Sequence, residues 1–293
     1  MSWVEHELEG RPLFVWAPHD RSRSYPTVYV LHAHMRSARW WFNVEPFEVS
    51  YPDRIEQMAP DAVVVLVDGW TELGGGQWIG ALGTYLRDEV VPFVDASYPC
   101  NGVRGLQGKS SGGYGAVVHC LERPDLFHAF AAHAPDALFE VTIAHGFPAV
   151  ARALRGSSLA AVLASLDGLS SHEDALVVEV AAAARAFGDG TLPFDALGRP
   201  DERFEAWLQH DPVRLASRHA DAVRSLRGAW LDAGNRDEYF LDAGALALRD
   251  ALLAAGLPDE RLRFELFDGG HGGMSGRYPA SLEWLVGCLS ITL

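Results

Sequence analysis

The segment 108–112, Gly-Lys-Ser-Ser-Gly, constrains the fold of this chain more than any other because it fits the pattern G-x-S-x-G. In that pattern the serine lies on a sharp turn between a strand and a helix, and the flanking glycines let the backbone close. Residues 101–107 form a short, partly apolar run before it, and residues 113–122 read as a helix of small residues ending before Pro124. The sequence therefore predicts a strand, a turn that presents Ser110, and a helix.

Two similar patterns follow downstream. An apolar run at 229–231 leads into an acidic, turn-rich loop at 232–238, and an alternating run at 263–267 leads into a glycine-rich loop around His271. Helical segments are predicted after both loops. A serine, an acid and a histidine thus lie at three predicted strand ends, in the chain order that serine hydrolases with such a turn use.

These segments resemble the putative-esterase group of α/β-hydrolases, which includes esterase D, enterochelin esterases, feruloyl esterases and mycolyltransferases. The matching segments are 25–32, 108–115, 233–238 and 269–271, so the resemblance extends from about Tyr25 to the C-terminus. It implies an α/β-hydrolase fold, with a mostly parallel central sheet flanked by helices. Predicted strands and helices alternate along the chain after an opening hairpin, which favours a single domain over residues 1–293.

The resemblance also implies roles for individual residues. Ser110 would be the nucleophile, His271 the general base and then acid, and Asp237 the carboxylate that orients His271. Three nearby carboxylates compete with Asp237 for the last role: Asp232, Glu238 and Asp268. The implied chemistry is hydrolysis of a small-molecule carboxylic ester through an acyl-enzyme, with no cofactor. An acyltransferase with the same triad and a non-catalytic binding protein on the same fold remain alternatives.

Backbone N–H groups are expected to stabilise the negative charge that develops on the substrate oxygen. One is that of Ser111, directly after the nucleophile. The second comes from the loop after the strand at 27–31, where the family match indicates His34. Relatives carry glycine where this chain has Ala33, so the conformation of that loop is left open.

Aromatic residues near the strand ends are candidates for the substrate pocket. Trp70 follows the apolar strand at 63–67 in a loop with three consecutive glycines, and Trp78 ends that loop. Trp40 and Trp41 follow the loop after the strand at 27–31, which carries the second predicted oxyanion donor. All four could line an acyl or alcohol pocket, or equally pack at the rim of the core.

A second interpretation of the His32-x-His34 pair is a metal site, with Asp68 as an oxygen ligand. Such a site needs three or four converging ligands, and the sequence has neither H-E-x-x-H nor paired cysteines. We therefore predict no metal and take the histidines as loop side chains.

Composition excludes some functions. The formal net charge of −15 argues against nucleic acid and against anionic membrane surfaces as partners. No signal peptide or membrane-spanning stretch is visible, and the three cysteines have no metal-binding spacing, so we expect a cytoplasmic protein with reduced thiols. The sequence does not indicate an oligomeric state.

The middle of the chain differs from the rest. Residues 140–223 are rich in alanine and leucine and are predicted to be helical, with a capping box at Ser170 and Glu173 before one helix. An insertion at this point would form a helical cap over the site, or peripheral helices that never touch substrate.

Overall fold

The computed structural model describes residues 3–42, 49–166, 168 and 171–291. Eight strands in these residues form one sheet. The strands are β1 (Val4–Leu8), β2 (Arg11–Trp16), β3 (Tyr25–Leu31), β4 (Val63–Val67), β5 (Cys100–Lys109), β6 (Ala129–His133), β7 (Gly228–Gly234) and β8 (Leu262–Phe267).

The strand order across the sheet is β1-β2-β4-β3-β5-β6-β7-β8. β1 and β2 form the predicted hairpin, whose turn at Glu9 and Gly10 has positive φ at both residues. β2 is antiparallel to β4, and the six strands from β3 to β8 run parallel to their neighbours. The predicted mostly parallel sheet is confirmed. Its parallel strands all end at one edge, which is where sheets of this kind bind ligands.

The sheet is buried on both faces, as parallel sheets usually are. Successive residues of β4 alternate between two hydrophobic cores, with Val63, Val65 and Val67 in one and Val64 and Leu66 in the other. Every residue of β4 is fully buried. This explains why the strand is an uninterrupted run of aliphatic residues.

Thirteen α-helices lie within the described residues. They are α1 (Tyr51–Met58), α2 (Gly80–Thr84), α3 (Val91–Ser97), α4 (Ser111–Glu122), α5 (Phe139–Thr142), α6 (Phe147–Ala153), α7 (Leu159–Ser165), α8 (His172–Phe187), α9 (Phe204–Leu208), α10 (Pro212–Arg218), α11 (Ala220–Ser225), α12 (Leu241–Ala254) and α13 (Arg277–Ser290). A π-helical segment, Tyr85–Val90, joins α2 to α3. α3 and α4 pack on one face of the sheet, and α1 and α13 pack on the other. None of the described helices is long and apolar enough to cross a membrane.

The chain between β6 and β7 contains α5 to α11. Its apolar side chains join the same core as α4, where the Tyr114 ring lies 6.0 Å from the Phe139 ring and 5.6 Å from the Phe187 ring. The capping box of α8 lies one residue later than predicted. Ser171 is the N-cap and exchanges hydrogen bonds with Asp174, whereas Ser170 is outside the described residues.

Candidate active site

Ser110 lies on the strained turn that the sequence predicts. β5 ends at Lys109, α4 begins at Ser111, and Ser110 between them has φ 55° and ψ −122°. Its N–H donates to the carbonyl of His133 at 2.9 Å, and its carbonyl accepts the N–H of Tyr114 at 2.8 Å. This combination of angles lies outside the regions that residues other than glycine ordinarily adopt, so the backbone is strained there, and such strain clusters at functional sites.

The glycines on each side of Ser110 are required by close backbone approach. A Cβ atom at Gly108 would lie 2.1 Å from the carbonyl oxygen of Gly112, and one at Gly112 would lie 2.2 Å from that of Leu31. Neither glycine has a positive φ. The pattern G-x-S-x-G therefore reflects how tightly the start of α4 packs against β5 and β3.

His271 is held by the acidic loop that follows β7. Its Nδ1 lies 2.9 Å from Oδ2 of Asp237, whose side chain is completely buried. The other Asp237 oxygen, Oδ1, accepts the N–H of Tyr239 at 2.9 Å. Nδ1 of His271 is thereby directed toward the carboxylate, which leaves Nε2 available to a reacting group.

The competing carboxylates have other partners. Glu238 accepts the backbone N–H of His271 at 2.7 Å, so it positions the loop without touching the ring. Asp268 is exposed and pairs with Arg236. Among the described residues, Asp237 is the carboxylate that contacts the imidazole of His271.

Asp232 belongs to a second, buried hydrogen-bond chain. Its Oδ1 lies 2.7 Å from Nδ1 of His133, and Nε2 of His133 lies 2.8 Å from Oγ of Ser281. Arg277 and the Trp230 indole donate to Asp232 Oδ2 at 2.7 and 2.8 Å. His133, Asp232 and Ser281 are each 0% exposed, so this chain ties β6 and β7 to α13 as a structural element.

Ser110 and His271 line one cavity at the carboxyl edge of the sheet. The Ser110 hydroxyl interacts with Asp136, and no hydrogen bond joins it to His271 among the described contacts. The other lining residues come from the loops after β3, β4, β6 and β7, from α5 and the segment after it, and from α8 and α12. They are His34, Gly76, Gln77, Asp136, Thr142, Ile143, His145, Leu176, Glu179, Val180, Ala182, Ala183, Tyr239 and Leu241.

Of the two predicted oxyanion donors, His34 lines this cavity and Ser111 directly follows Ser110. The N–H of Ser111 is at the start of α4, where the unpaired N–H groups and the helix dipole favour negative charge. His34 lines the cavity, and the Nε2–H of its ring donates to the carbonyl of Leu73 at 2.8 Å. Burial lowers the pKa of His34 to about 4, so its ring is neutral. Ala33 has no positive φ, so its loop conformation does not require glycine at this position.

Two of the predicted pocket tryptophans are buried core residues, and this corrects the expectation. Trp78 is 1% exposed and lies beneath α4, where its indole N–H donates to the carbonyl of His32 at 3.0 Å. Trp41 is 3% exposed and packs against Tyr51 and Tyr278. These two large aromatic side chains lie in the cores on either face of the sheet, and smaller residues line the cavity.

Trp40 and Trp70 also lie outside this cavity. Trp40 packs against Trp41, with the Arg36 guanidinium over its ring. Trp70 is 50% exposed and borders a separate surface groove with Arg11 and Asp68. Trp70 itself lies toward the β1–β2 hairpin, where Arg11 donates to its carbonyl, whereas Gly76 and Gln77 of the same loop line the cavity of Ser110.

The hydrogen bonds of His32, His34 and Asp68 oppose the metal interpretation. Both ring nitrogens of His32 are engaged, Nδ1 with the carbonyl of Ala33 and Nε2 with the N–H of Gly69, each at 2.8 Å. Asp68 accepts the N–H groups of Ala38 and Trp70. The described residues contain no group of three or more histidine, cysteine or acidic side chains placed to hold a metal ion.

Asp136 and Glu179 are cavity residues that the sequence analysis missed. Asp136 follows the end of β6, so the rule that parallel strands end at the site could have identified it. Glu179 is the one charged residue in the apolar run 176–184 of α8. A charge in such a run is the signal that could have drawn attention to it.

Comparison with known proteins identifies the family. The family model described as putative esterase matches residues 9–285. The chain belongs to the putative esterase family. This confirms the predicted family and the prediction of a carboxylic ester hydrolase. No curated protein matches the sequence at a significant level.

Solved structures of esterases share the fold of this family member. A ferulic acid esterase superposes with a TM-score of 0.63 at 16% identity, covering 99% of this chain and 98% of that one. The fluorophosphonate-binding serine hydrolase F of Staphylococcus aureus gives 0.60 at 16% identity, with 97% of each chain covered. An S-formylglutathione hydrolase from Agrobacterium tumefaciens gives 0.57 at 17% identity, covering 98% and 95%. The predicted α/β-hydrolase fold is confirmed.

Proposed function

We propose that this protein hydrolyses small carboxylic esters with Ser110 as nucleophile, His271 as base and Asp237 as its carboxylate partner. The observation that carries the proposal is the strained Ser110 at the β5–α4 turn, opening on the same cavity as the imidazole bound to Asp237. A strained serine and a carboxylate-bound histidine at one cavity are the parts that acyl transfer requires.

In the proposed reaction, Ser110 Oγ attacks the ester carbonyl carbon while His271 Nε2 takes the hydroxyl proton. The N–H groups of Ser111 and His34 stabilise the oxyanion, each contributing a few kcal/mol in typical enzymes. The proton then passes from His271 to the departing alcohol, and the acyl group stays on Ser110. Water, deprotonated by His271, attacks this ester and releases the acid. The hydrogen bond between nucleophile and base is often long in unliganded enzymes and shortens with substrate bound.

We further propose that residues 140–223 act as a cap on this site. The supporting contacts are those of α8, whose Leu176, Val180 and Ala183 line the cavity, together with Thr142 and Ile143 at the end of α5. A wall made by the insertion between β6 and β7 would set the length and shape of the acyl or alcohol group accepted.

A cytoplasmic location also remains a proposal. It is supported by three free cysteines, of which Cys120 is buried on α4 and Cys100 and Cys288 are partly buried. Burial raises the pKa of all three thiols, so they are poor nucleophiles and stable in a reducing compartment.

The test is hydrolysis of p-nitrophenyl acetate together with labelling by a fluorophosphonate. Ser110→Ala is expected to lower kcat/KM by at least about 10³-fold and to abolish labelling, because the nucleophile is removed. Ser217→Ala, which changes an exposed serine on α10, is the matched control and keeps both signals. Undiminished turnover by folded Ser110→Ala would contradict the proposal. Labelling of the wild type without turnover would instead favour transfer to an acceptor other than water.

A further inference from the structure

Two acidic side chains from different elements lie at the cavity of Ser110. Asp136 follows β6, and Glu179 lies in the middle of α8. The proposed hydrolysis gives neither of them a role, since Asp237 is the partner of His271. Acidic residues are rarely buried without a partner, so their presence at a cavity with apolar walls needs a reason.

Asp136 lies directly beside the nucleophile. Its Oδ2 accepts the Gln77 side-chain N–H at 2.8 Å, and Asp136 lines the same cavity as Ser110. Burial raises the pKa of Asp136 to about 6. A group held at this carboxylate would therefore lie close to an ester carbonyl at Ser110.

Glu179 has neither a hydrogen bond nor an ion pair with any residue of the described ranges. Its side chain is partly buried on α8, between Leu176 and Ala183, and it lines the cavity. Burial, and then the charge of Asp136, raise its pKa to about 8. A buried carboxyl without a partner is destabilising in its ionised form, and a cation beside it would reverse that effect.

No positive side chain balances these two acids within the cavity. None of its described lining residues is lysine or arginine. Burial lowers the pKa of both His34 and His145, which keeps those rings neutral. His271 donates toward Asp237 and is committed to that carboxylate. The cavity thus combines two acids with neutral and apolar walls.

We propose that this cavity selects esters that carry a protonated amine, whose ammonium group binds between Glu179 and Asp136 while the carbonyl lies at Ser110. The inference rests on the proposed ester hydrolysis and names its substrate class. A neutral alkyl chain would leave both carboxyls unpaired, and an anionic ester would be repelled by them. The ammonium group supplies three donors and the charge that the site lacks.

The experiment compares esters that differ only by an ammonium group in place of a methyl group. Ethyl esters of alanine, 4-aminobutyrate and 6-aminohexanoate are paired with those of isobutyrate, pentanoate and heptanoate. 3-Aminopropyl acetate is paired with butyl acetate, which tests the alcohol side. All are assayed at a pH at which the amine is protonated. In at least one pair we expect the cation to be preferred by about tenfold or more in kcat/KM, which is the order of a partly desolvated charge pair.

Glu179→Gln keeps the shape of the side chain and removes its charge. It is expected to reduce that preference by about tenfold. Glu173→Gln is the matched control, because Glu173 lies on the same helix but pairs with Arg152 away from the cavity. It changes the net charge equally and should keep the preference. Asp136→Asn provides a second variant, with a reduced preference also expected.

Three outcomes would overturn the inference, and they are distinguishable. If the wild type hydrolyses the neutral esters but prefers the cation in no pair, cation selection is wrong and ester hydrolysis stands. If neither ester class is turned over and the fluorophosphonate does not label Ser110, the proposed function fails and the inference fails with it. A preference that Glu179→Gln and Asp136→Asn both leave unchanged would also overturn it.

Discussion

Four acidic residues lie near His271 in sequence or across the neighbouring strand, and only their hydrogen bonds separate their roles. Asp237 contacts Nδ1 of the imidazole, Glu238 holds the backbone N–H of the same residue, and Asp232 is bound to His133. Two adjacent carboxylates thus hold one histidine by different atoms. Replacing each of the two acids in turn by its amide therefore separates two effects, orientation of the ring by Asp237 and support of the loop by Glu238.

Asp237→Asn is expected to lower kcat for ester hydrolysis by about 10³- to 10⁴-fold, because the amide favours the wrong tautomer of His271. Glu238→Gln is the isosteric control next to it in the chain. It keeps an acceptor for the N–H of His271 and should cost no more than about tenfold. Steady-state kinetics with one p-nitrophenyl ester measures both. Equal losses in the two variants would show that Asp237 acts through the loop conformation instead of the ring.

Sequence reasoning selected Ser110 and His271 as candidates because each belongs to a local pattern, a glycine-bounded turn and a glycine-rich loop after a strand. Asp136 and Glu179 have no such pattern. Their proposed role depends on two separate elements that meet at one cavity, and a local sequence pattern does not show such packing. Two of the four tryptophans that the sequence offered as pocket candidates are buried instead, because their large side chains pack in the cores on both faces of the sheet.

At the scale of elements, α4 packs unusually closely on its surroundings. Gly115 lies in the second turn of α4, and a Cβ atom there would be 2.4 Å from Cβ of Trp78. Gly287 lies in α13 with nothing within 4 Å of such an atom. Neither glycine has a positive φ, so space alone distinguishes them.

The same substitution should therefore have opposite effects in the two helices. Gly115→Ala is expected to lower the free energy of unfolding by about 1–3 kcal/mol through overpacking against Trp78. Gly287→Ala should raise it by about 0.5–1 kcal/mol, because alanine favours the helix. Urea denaturation of both variants measures the difference. A stabilised Gly115→Ala protein would mean that α4 can move away from Trp78 without loss.

Element positions were predicted well where an apolar run marks a strand. The predicted runs at 229–231 and 263–267 lie in β7 and β8, and the helices expected after the loops that follow them are α12 and α13. β5 extends beyond its predicted ends because its first residues are partly exposed and carry no apolar pattern. The π-helical segment Tyr85–Val90 between α2 and α3 was not predicted.

At the scale of the whole molecule, folding places some histidines where they cannot be charged. His119 on α4 is fully buried, and its Nε2 lies 2.7 Å from the carbonyl of Trp78. Burial, with a contribution from Arg87, lowers its pKa to about 4 from the ordinary 6.5. Between these values the unfolded chain binds more protons at this residue than the folded one, so its contribution to stability falls as the pH falls.

His119→Gln removes the titrating group and keeps a donor toward Trp78. Relative to the variant, the wild type should lose roughly 1 kcal/mol of its free energy of unfolding per pH unit as the pH falls from about 6.5 to about 5. Denaturant unfolding at several pH values measures it. The exposed His19→Gln variant is the control and should show a nearly constant difference. A constant difference for His119→Gln as well would show that His119 is not kept neutral by folding.

The buried chain of Ser281, His133 and Asp232 has a consequence for recognising enzymes by shape. The His133 imidazole contacts Ser281 at 2.8 Å and Asp232 at 2.7 Å, so all three side chains are linked. In the proposed active site, by contrast, no described hydrogen bond links Ser110 to His271. A template search for linked side chains would select it, yet no ester can reach a serine that is 0% exposed. Access and backbone strain, rather than the completeness of a hydrogen-bond relay, are what such a search should rank.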